Sequence, residues 1–281
     1  MIKRWFEITA TGPAETTEHV TALLIDMGSP GVMEDEQEGK KVLKAYIPSD
    51  SLLRSNKNAL KERLRNYGWT CRVNPFENLD WLTKWKEHIK PIRISNRILI
   101  KPTWRKIAKK AGRIIIEIDP GMAFGTGSHA STIMCLKAAD KLADIIKGKE
   151  VLDVGAGSGI LAITAAKLGA RKVVAIDIDQ EALRVARRNI RLNNVSKKVA
   201  VSAKPLDKIK GKFFIIFANI IAEELTKIAS QLKDRLMDNG FLILSGILQE
   251  RSHEVETAYK GLGFKLFKTY SKGEWVCLIF H

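Results

Sequence analysis

Chemistry is concentrated in a run of apolar residues that ends in glycines. Val151-Leu152-Asp153-Val154 reads as a buried strand, and Gly155-Ala156-Gly157-Ser158-Gly159 as the turn into a helix. Glycines in such a turn admit positive φ and let a ligand approach the backbone, and the helix start adds unpaired N–H groups. The spacing is G-x-G-x-G, one residue shorter than the dinucleotide fingerprint G-x-G-x-x-G, which disfavours a nicotinamide oxidoreductase. Asp177, twenty-two residues after Gly155, ends the next strand. A carboxylate there can accept hydrogen bonds from both hydroxyls of an adenosine ribose. Asp179 suits the cap of the following helix better. Asn219 closes a third strand in Phe217-Ala218-Asn219-Ile220-Ile221 and is expected at the same crevice, either in binding or as a helix cap.

A second unusual stretch, Asp119 to Thr132, has the sequence Asp-Pro-Gly-Met-Ala-Phe-Gly-Thr-Gly-Ser-His-Ala-Ser-Thr. Its glycines, its proline and Phe124 suggest a loop able to cover a bound ligand. Ser128, Ser131 and Thr132 supply hydroxyls near a helix start. His129 is more economically read as a cap or packing residue than as a base.

Elements that position these residues follow from hydrophobic period. Residues 1–76 read as βαββαβ, a ferredoxin-like order. Strands are expected at Ile2–Thr9, Gly31–Glu34, Lys41–Ile47 and Trp69–Val73, with helices at Ala14–Met27 and Ser51–Asn66. Residues 77–112 form a linker, with Trp81 and Trp85 on one helical face and short strands near Ile92 to Pro102. From 113 to 281 strands alternate with helices. Strands are placed at Ile114–Ile118, Glu150–Val154, Lys172–Asp177, Val199–Ser202, Phe213–Ala218, Gly240–Ser245, Phe264–Tyr270 and Trp275–Phe280. Helices fall near 129–145, 159–168, 180–193, 221–236 and 248–261. This is the pattern of a doubly wound, Rossmann-like α/β sheet, and the last two strands should form an antiparallel edge hairpin.

Composition narrows the class. The chain has 281 residues, 45% of them hydrophobic, which is ample for a core. No apolar run is long enough for a membrane helix. Glu7 stands where a secretory leader would be apolar, so a cytoplasmic location is expected. Cys71, Cys135 and Cys277 fit neither a disulfide framework nor a zinc site, and no metal is expected; they read as three buried thiols. The net charge of +16 is divided evenly between residues 1–110 and 111–281. It will draw the protein toward polyanions, including ribosomal RNA, without choosing among them.

Taken together, four segments resemble one family. They are Asp119–His129, Asp-Val-Gly-Ala-Gly-Ser-Gly-Ile-Leu-Ala-Ile at 153–163, Ala-Ile-Asp-Ile-Asp at 175–179 and Ala-Asn-Ile-Ile-Ala at 218–222. The family is the bacterial methyltransferase that modifies ribosomal protein L-eleven, PrmA. The likeness extends to Trp81-Leu82-Thr83-Lys84-Trp85, Lys101-Pro102-Thr103-Trp104, Ser245-Gly246-Ile247-Leu248 and Glu274-Trp275. It implies a small N-terminal domain that recognises the ribosomal protein, a linker and a class I methyltransferase domain using S-adenosylmethionine. It also implies cofactor contacts at Thr132, Gly155, Asp177 and Asn219, with Gly157 and Thr126 beside them. Asn219 and Phe124 are the candidates for positioning the reacting groups. The family commonly has Thr-His-Pro-Thr-Thr where this chain has Ser128-His129-Ala130-Ser131-Thr132; the last threonine is kept.

The expected reaction is methyl transfer to amines of a protein, chiefly lysine ε-amines. A nucleic-acid methyltransferase is the alternative invited by the charge. Enzymes that methylate exocyclic base nitrogens carry Asn/Asp-Pro-Pro-aromatic after the fourth strand, whereas Ile220-Ile221-Ala222 follows Asn219 here. A non-catalytic binding module has no physical need for the glycine turn, Asp177 and Asn219 together.

Overall fold

The computed structural model describes residues 5–29, 31–37, 39–48, 57–76, 91–107, 112–118, 127 and 129–281. The chain divides into two compact units, Met1–His88 and Ile89–His281.

The first unit is built from β1 (Trp5–Gly12), α1 (Thr17–Asp26), β2 (Val32–Gln37), β3 (Lys40–Pro48), α2 (Lys57–Arg65) and β4 (Thr70–Phe76). The sheet is antiparallel in the order β2-β3-β1-β4. Alternate residues Ile8 and Ala10 of β1 and Leu43, Ala45 and Ile47 of β3 face the helices, where Val20, Leu24, Leu60 and Leu64 meet them. β1 continues to Gly12, three residues past the strand end expected at Thr9. Gly12 is fixed by packing: a Cβ there would lie 2.2 Å from the Trp69 indole. That ring is fully buried and donates its Nε1–H to Thr16 Oγ1 at 2.7 Å. Cys71, expected buried, is half-buried on β4, whereas Cys135 and Cys277 are buried; all three thiols are free.

The second unit opens with a three-stranded sheet of β5 (Ile92–Arg93), β6 (Ile98–Pro102) and β7 (Ile114–Ile118). Ile114–Ile118 was expected in the doubly wound sheet, but it pairs in parallel with β6 instead. Its outer edge is closed by a side chain. Asn193 Oδ1 accepts the Glu117 N–H at 2.9 Å, and Asn193 Nδ2 donates to the Glu117 carbonyl at 2.6 Å, as a neighbouring strand would.

The main sheet has seven strands. They are β8 (Glu150–Val154), β9 (Lys172–Ile176), β10 (Val199–Ser202), β11 (Phe213–Asn219), β12 (Leu236–Leu248), β13 (Leu266–Lys272) and β14 (Trp275–Phe280). Their order is β10-β9-β8-β11-β12-β14-β13. The first five run parallel, and β14 lies antiparallel to both β12 and β13. The doubly wound sheet and its antiparallel edge hairpin are thus as the sequence pattern indicates. Apolar layers cover both faces. One gathers Val151, Ile215 and Phe217 with α3 (Ala130–Lys141), α4 (Ala143–Ile146) and α5 (Ile160–Lys167). The other gathers Leu152, Ile216 and Ala218 with α7 (Ala222–Lys227), α8 (Ala229–Arg235) and α9 (Ser252–Gly261). The helix expected over 221–236 is two helices, broken at Ile228. α6 (Gln180–Leu192) packs Ala186 and Ile190 on the first layer. Among the described residues no helix is long and apolar enough to cross a membrane.

Asn193→Ala removes both bonds to β7 and leaves a strand edge unpaired. We expect a loss of about 3 kcal/mol, because both partners are backbone groups withdrawn from water. Urea unfolding of the variant beside the wild type measures it.

Candidate active site

β8 is the strand at which the order reverses, with β9 on one side and β11 on the other. The crevice beyond the carboxyl ends of these three strands is where open α/β sheets bind ligands. The glycine turn leaves β8, Asp177 follows β9 and Asn219 ends β11, so the sequence-predicted residues converge there.

The turn is held by backbone bonds. The Gly155 and Ala156 N–H groups both donate to the Ile176 carbonyl, each at 3.0 Å. Gly155, Gly157 and Gly159 all have positive φ, of 69°, 53° and 78°. Packing also requires glycine at the first and crowds the third. A Cβ at Gly155 would lie 2.4 Å from Ile220 Cγ2, and one at Gly159 would lie 3.2 Å from Ala186 Cβ. Ile220 is itself seated by a bond from its N–H to the Ser245 carbonyl at 3.1 Å. It passes so close to Gly246 that a Cβ there would meet its carbonyl oxygen at 2.5 Å. The role of Gly246 escapes sequence reasoning, because the contact joins residues distant in the chain.

Asp177 is half-buried. One carboxylate oxygen accepts the Gly157 N–H at 2.8 Å and the other accepts the Asp179 N–H at 3.0 Å. Each oxygen keeps a second acceptor position. Asp179, as expected, caps α6 by accepting the Glu181 N–H at 2.8 Å. Asn219 lies on the same face of β11 as Phe217, by strand alternation, and meets Thr132 near the start of α3. Its Nδ2 donates to the buried Thr132 Oγ1 at 3.3 Å. Its Oδ1 is buried and has no hydrogen-bond partner among the described residues. A carbonyl withdrawn from water without a donor costs about 1–3 kcal/mol, so a ligand N–H placed against this oxygen would be favoured.

His129 is the cap of α3. Its Nδ1 accepts the Ser131 N–H at 3.3 Å and lies 2.7 Å from Ser131 Oγ. The ring packs edge-on against Trp275 with centroids 4.6 Å apart, and burial pulls its pKa down. Phe124, Thr126, Trp81 and Trp85 lie outside the described residues. Gly127 is described and is wedged: a Cβ would lie 2.6 Å from Ile100 Cδ1.

These positions can be set beside known proteins. Residues 4–281 match the family described as Ribosomal protein L11 methyltransferase (PrmA). The chain belongs to that family. A relative so named from Citrifermentans bemidjiense is 40% identical, with 100% of this chain and 99% of the relative covered. One from Geobacter metallireducens is 39% identical, with coverage of 100% and 99%. The crystal structure of a ribosomal protein L11 methylase from Lactobacillus delbrueckii subsp. bulgaricus is 34% identical. It superposes with a TM-score of 0.64 over 69% of this chain and 98% of that one. Family membership thus rests on the whole chain, beyond the glycine turn alone.

Sequence reasoning did not single out Asp153, the buried acid inside the apolar run of β8. Its polar side chain in an apolar strand was the available signal. One oxygen accepts the Ala162 N–H at 2.9 Å, capping α5, whose own N-cap Gly159 has no side chain to do so. The other oxygen is buried without a partner among the described residues. Burial, with Asp177 nearby, pushes the carboxyl up to about 7 against an ordinary 3.8.

The native state therefore holds this proton at pH values where the unfolded chain has released it. The stabilising effect is full below the unfolded pKa and lost as pH rises through the folded one. Between pH 5.5 and 8 the wild type should lose about 2 kcal/mol relative to Asp153→Asn, which keeps the acceptor for Ala162 without the charge. Urea titrations of both proteins at the two pH values read the difference.

Proposed function

We propose that this protein transfers methyl groups from S-adenosylmethionine to amino groups, chiefly lysine ε-amines, of ribosomal protein L11 in the cytoplasm. The observation that carries the reading is the pairing of Asp177 and Asn219. They stand at the carboxyl ends of the two strands that flank β8, each with acceptor capacity left over, around a glycine turn. The residues fit the cofactor. Asp177 offers one acceptor to each hydroxyl of a ribose, and the orphaned Asn219 Oδ1 offers one to an N–H. Thr132, Gly155 and Gly157 shape the remaining wall, and the resemblance adds Thr126.

S-adenosylmethionine supplies a sulfonium whose methyl group is already activated, so the protein's task is in-line positioning of a nitrogen lone pair. The second lone pair of Asn219 Oδ1 can accept from the incoming amine and aim it. Thr132 Oγ1 holds the opposite end of that amide in place. Phe124 is assigned a positioning role beside it on the strength of the resemblance. The amine must arrive neutral. A lysine with a pKa near 10.4 is about one part in a thousand neutral near pH 7, a handicap of roughly 4 kcal/mol. A desolvated crevice lowers that pKa. The first unit is assigned to recognition of the ribosomal protein, and the basic surface of the chain to proximity with ribosomal RNA.

Incubation with S-adenosylmethionine and unmethylated L11, free and in ribosomes, should add mass to L11 in steps of one methyl group by intact mass spectrometry. No gain with cofactor binding intact would remove the assigned substrate. Gain on deproteinised RNA instead would favour the RNA-modifying reading. Below the lysine pKa, log kcat/KM should rise by about one per pH unit, since the neutral amine is the reactant. A flat profile between pH 6 and 8.5 would contradict rate-limiting capture of a neutral amine. Asp177→Asn should weaken cofactor binding by about 1.5–3 kcal/mol in calorimetry. Unchanged affinity would take Asp177 out of the site.

A further inference from the structure

Among the described residues Asp153 is the only acidic or basic side chain withdrawn from water, at 1% exposure. Such a group is normally paired with a cation. Here no ion pair reaches it among the described residues, and what faces it is neutral or acidic. α5 gives the Ala162 N–H to one oxygen, α3 brings the Cys135 thiol, and Asp177 approaches from the end of β9. β11 lies beside it, with Phe217 in register.

The register also gives the donorless oxygen of Asp153 a companion. Asn219 stands two residues beyond Phe217 on the same face of β11, which puts its Cα about 8 Å from that of Asp153. Thr132 of α3 meets Asn219, and Cys135, about one turn later, faces Asp153. α3 thus covers two buried oxygens that lack donors among the described residues, one on each strand. Such oxygens, with a second carboxylate nearby, favour positive charge and offer nothing further to a neutral group. The donor of the proposed reaction carries a sulfonium. When the methyl group leaves, its bonding electron pair stays on sulfur and cancels that charge. The product, S-adenosylhomocysteine, is otherwise the same molecule.

We propose that Asp153 is a specificity-determining residue that reads the charge on the cofactor's sulfur. It releases its proton to solvent when a sulfonium is seated and takes one back from solvent once the sulfur is neutral. The site therefore holds the donor more tightly than the spent product. Burial and Asp177 push this carboxyl up to about 7, so it is partly protonated at neutral pH and the exchange is measurable. At an effective dielectric of about 20, a unit charge about 8 Å away changes its protonation constant about thirtyfold. The inference rests on the proposed cofactor. Failure of S-adenosylmethionine to bind would defeat both readings, whereas binding without the proton exchange would defeat this one alone.

Calorimetry at pH 7 in buffers of different ionisation enthalpy counts the protons released on binding. S-adenosylmethionine should release about half a proton more from the wild type than from Asp153→Asn. The variant corrects for the donor's own α-amine, which titrates near this pH. S-adenosylhomocysteine should give equal counts for the two proteins. The ratio of product Kd to donor Kd should fall at least about tenfold in Asp153→Asn at pH 8, and less than about twofold at pH 5, where the wild-type carboxyl is protonated before the ligand arrives. Infrared difference spectra of the wild type alone read the group directly: the protonated-carboxyl band should be lost with the donor and kept with the product. Equal proton counts for S-adenosylmethionine in the two proteins would overturn the proposal. So would an unchanged ratio at pH 8, or a carboxyl band that responds alike to both ligands.

Discussion

The reversal of strand order at β8 is the constraint on which the rest depends. Because β9 lies on one side and β11 on the other, the chain leaving β8 cannot be covered by a neighbouring crossover, and its end stays open. The turn at that end has to be rigid without a strand beside it. The Ile176 carbonyl takes two of its N–H groups, and Asp177 takes the N–H of Gly157. The carboxylate proposed to receive a ribose is therefore also a brace for the turn, and it is oriented before any ligand arrives.

Polar groups behind this end form a buried seam. Ser245 is placed to donate to the carbonyl of Ser131, at 3.3 Å, or of Val276, at 3.2 Å, between α3 and the antiparallel strand β14. His129 rests on Trp275 of that same strand. The antiparallel hairpin thus supports the start of α3, where Thr132 meets Asn219. Among the described residues two buried oxygens in the neighbourhood have no donor, on Asp153 and Asn219, although water and backbone usually satisfy such groups. Their cost is offset by the two apolar layers on either face of the sheet.

Much of this was legible in the sequence because the signal is local. Glycine spacing, an acid at the next strand's end and an asparagine at a third each follow from a run of neighbouring residues. Asp179 and His129 could be read as caps for the same reason. Through-space constraints were not legible. Nothing near Gly155 announces Ile220, and nothing near Gly246 announces the carbonyl it must clear. The strand Ile114–Ile118 has the period of a sheet strand, but period does not name a partner, and its true neighbours are β6 and the side chain of Asn193. The break at Ile228 lies in a run whose helical propensity continues across it.

Asn193 gives α6 a mechanical meaning. The helix begins three residues after Asp177, holds the Ser158 carbonyl of the glycine turn through Asn189 at 2.9 Å, and ends with Asn193 clasped to Glu117. Glu117 belongs to the strand whose next residues lead into Asp119 and the glycine-rich segment. A helix of thirteen residues is a stiff rod about 20 Å long. It serves as a tie bar: one rod fixes the spacing between the turn that Asp177 braces and the strand that runs toward Asp119.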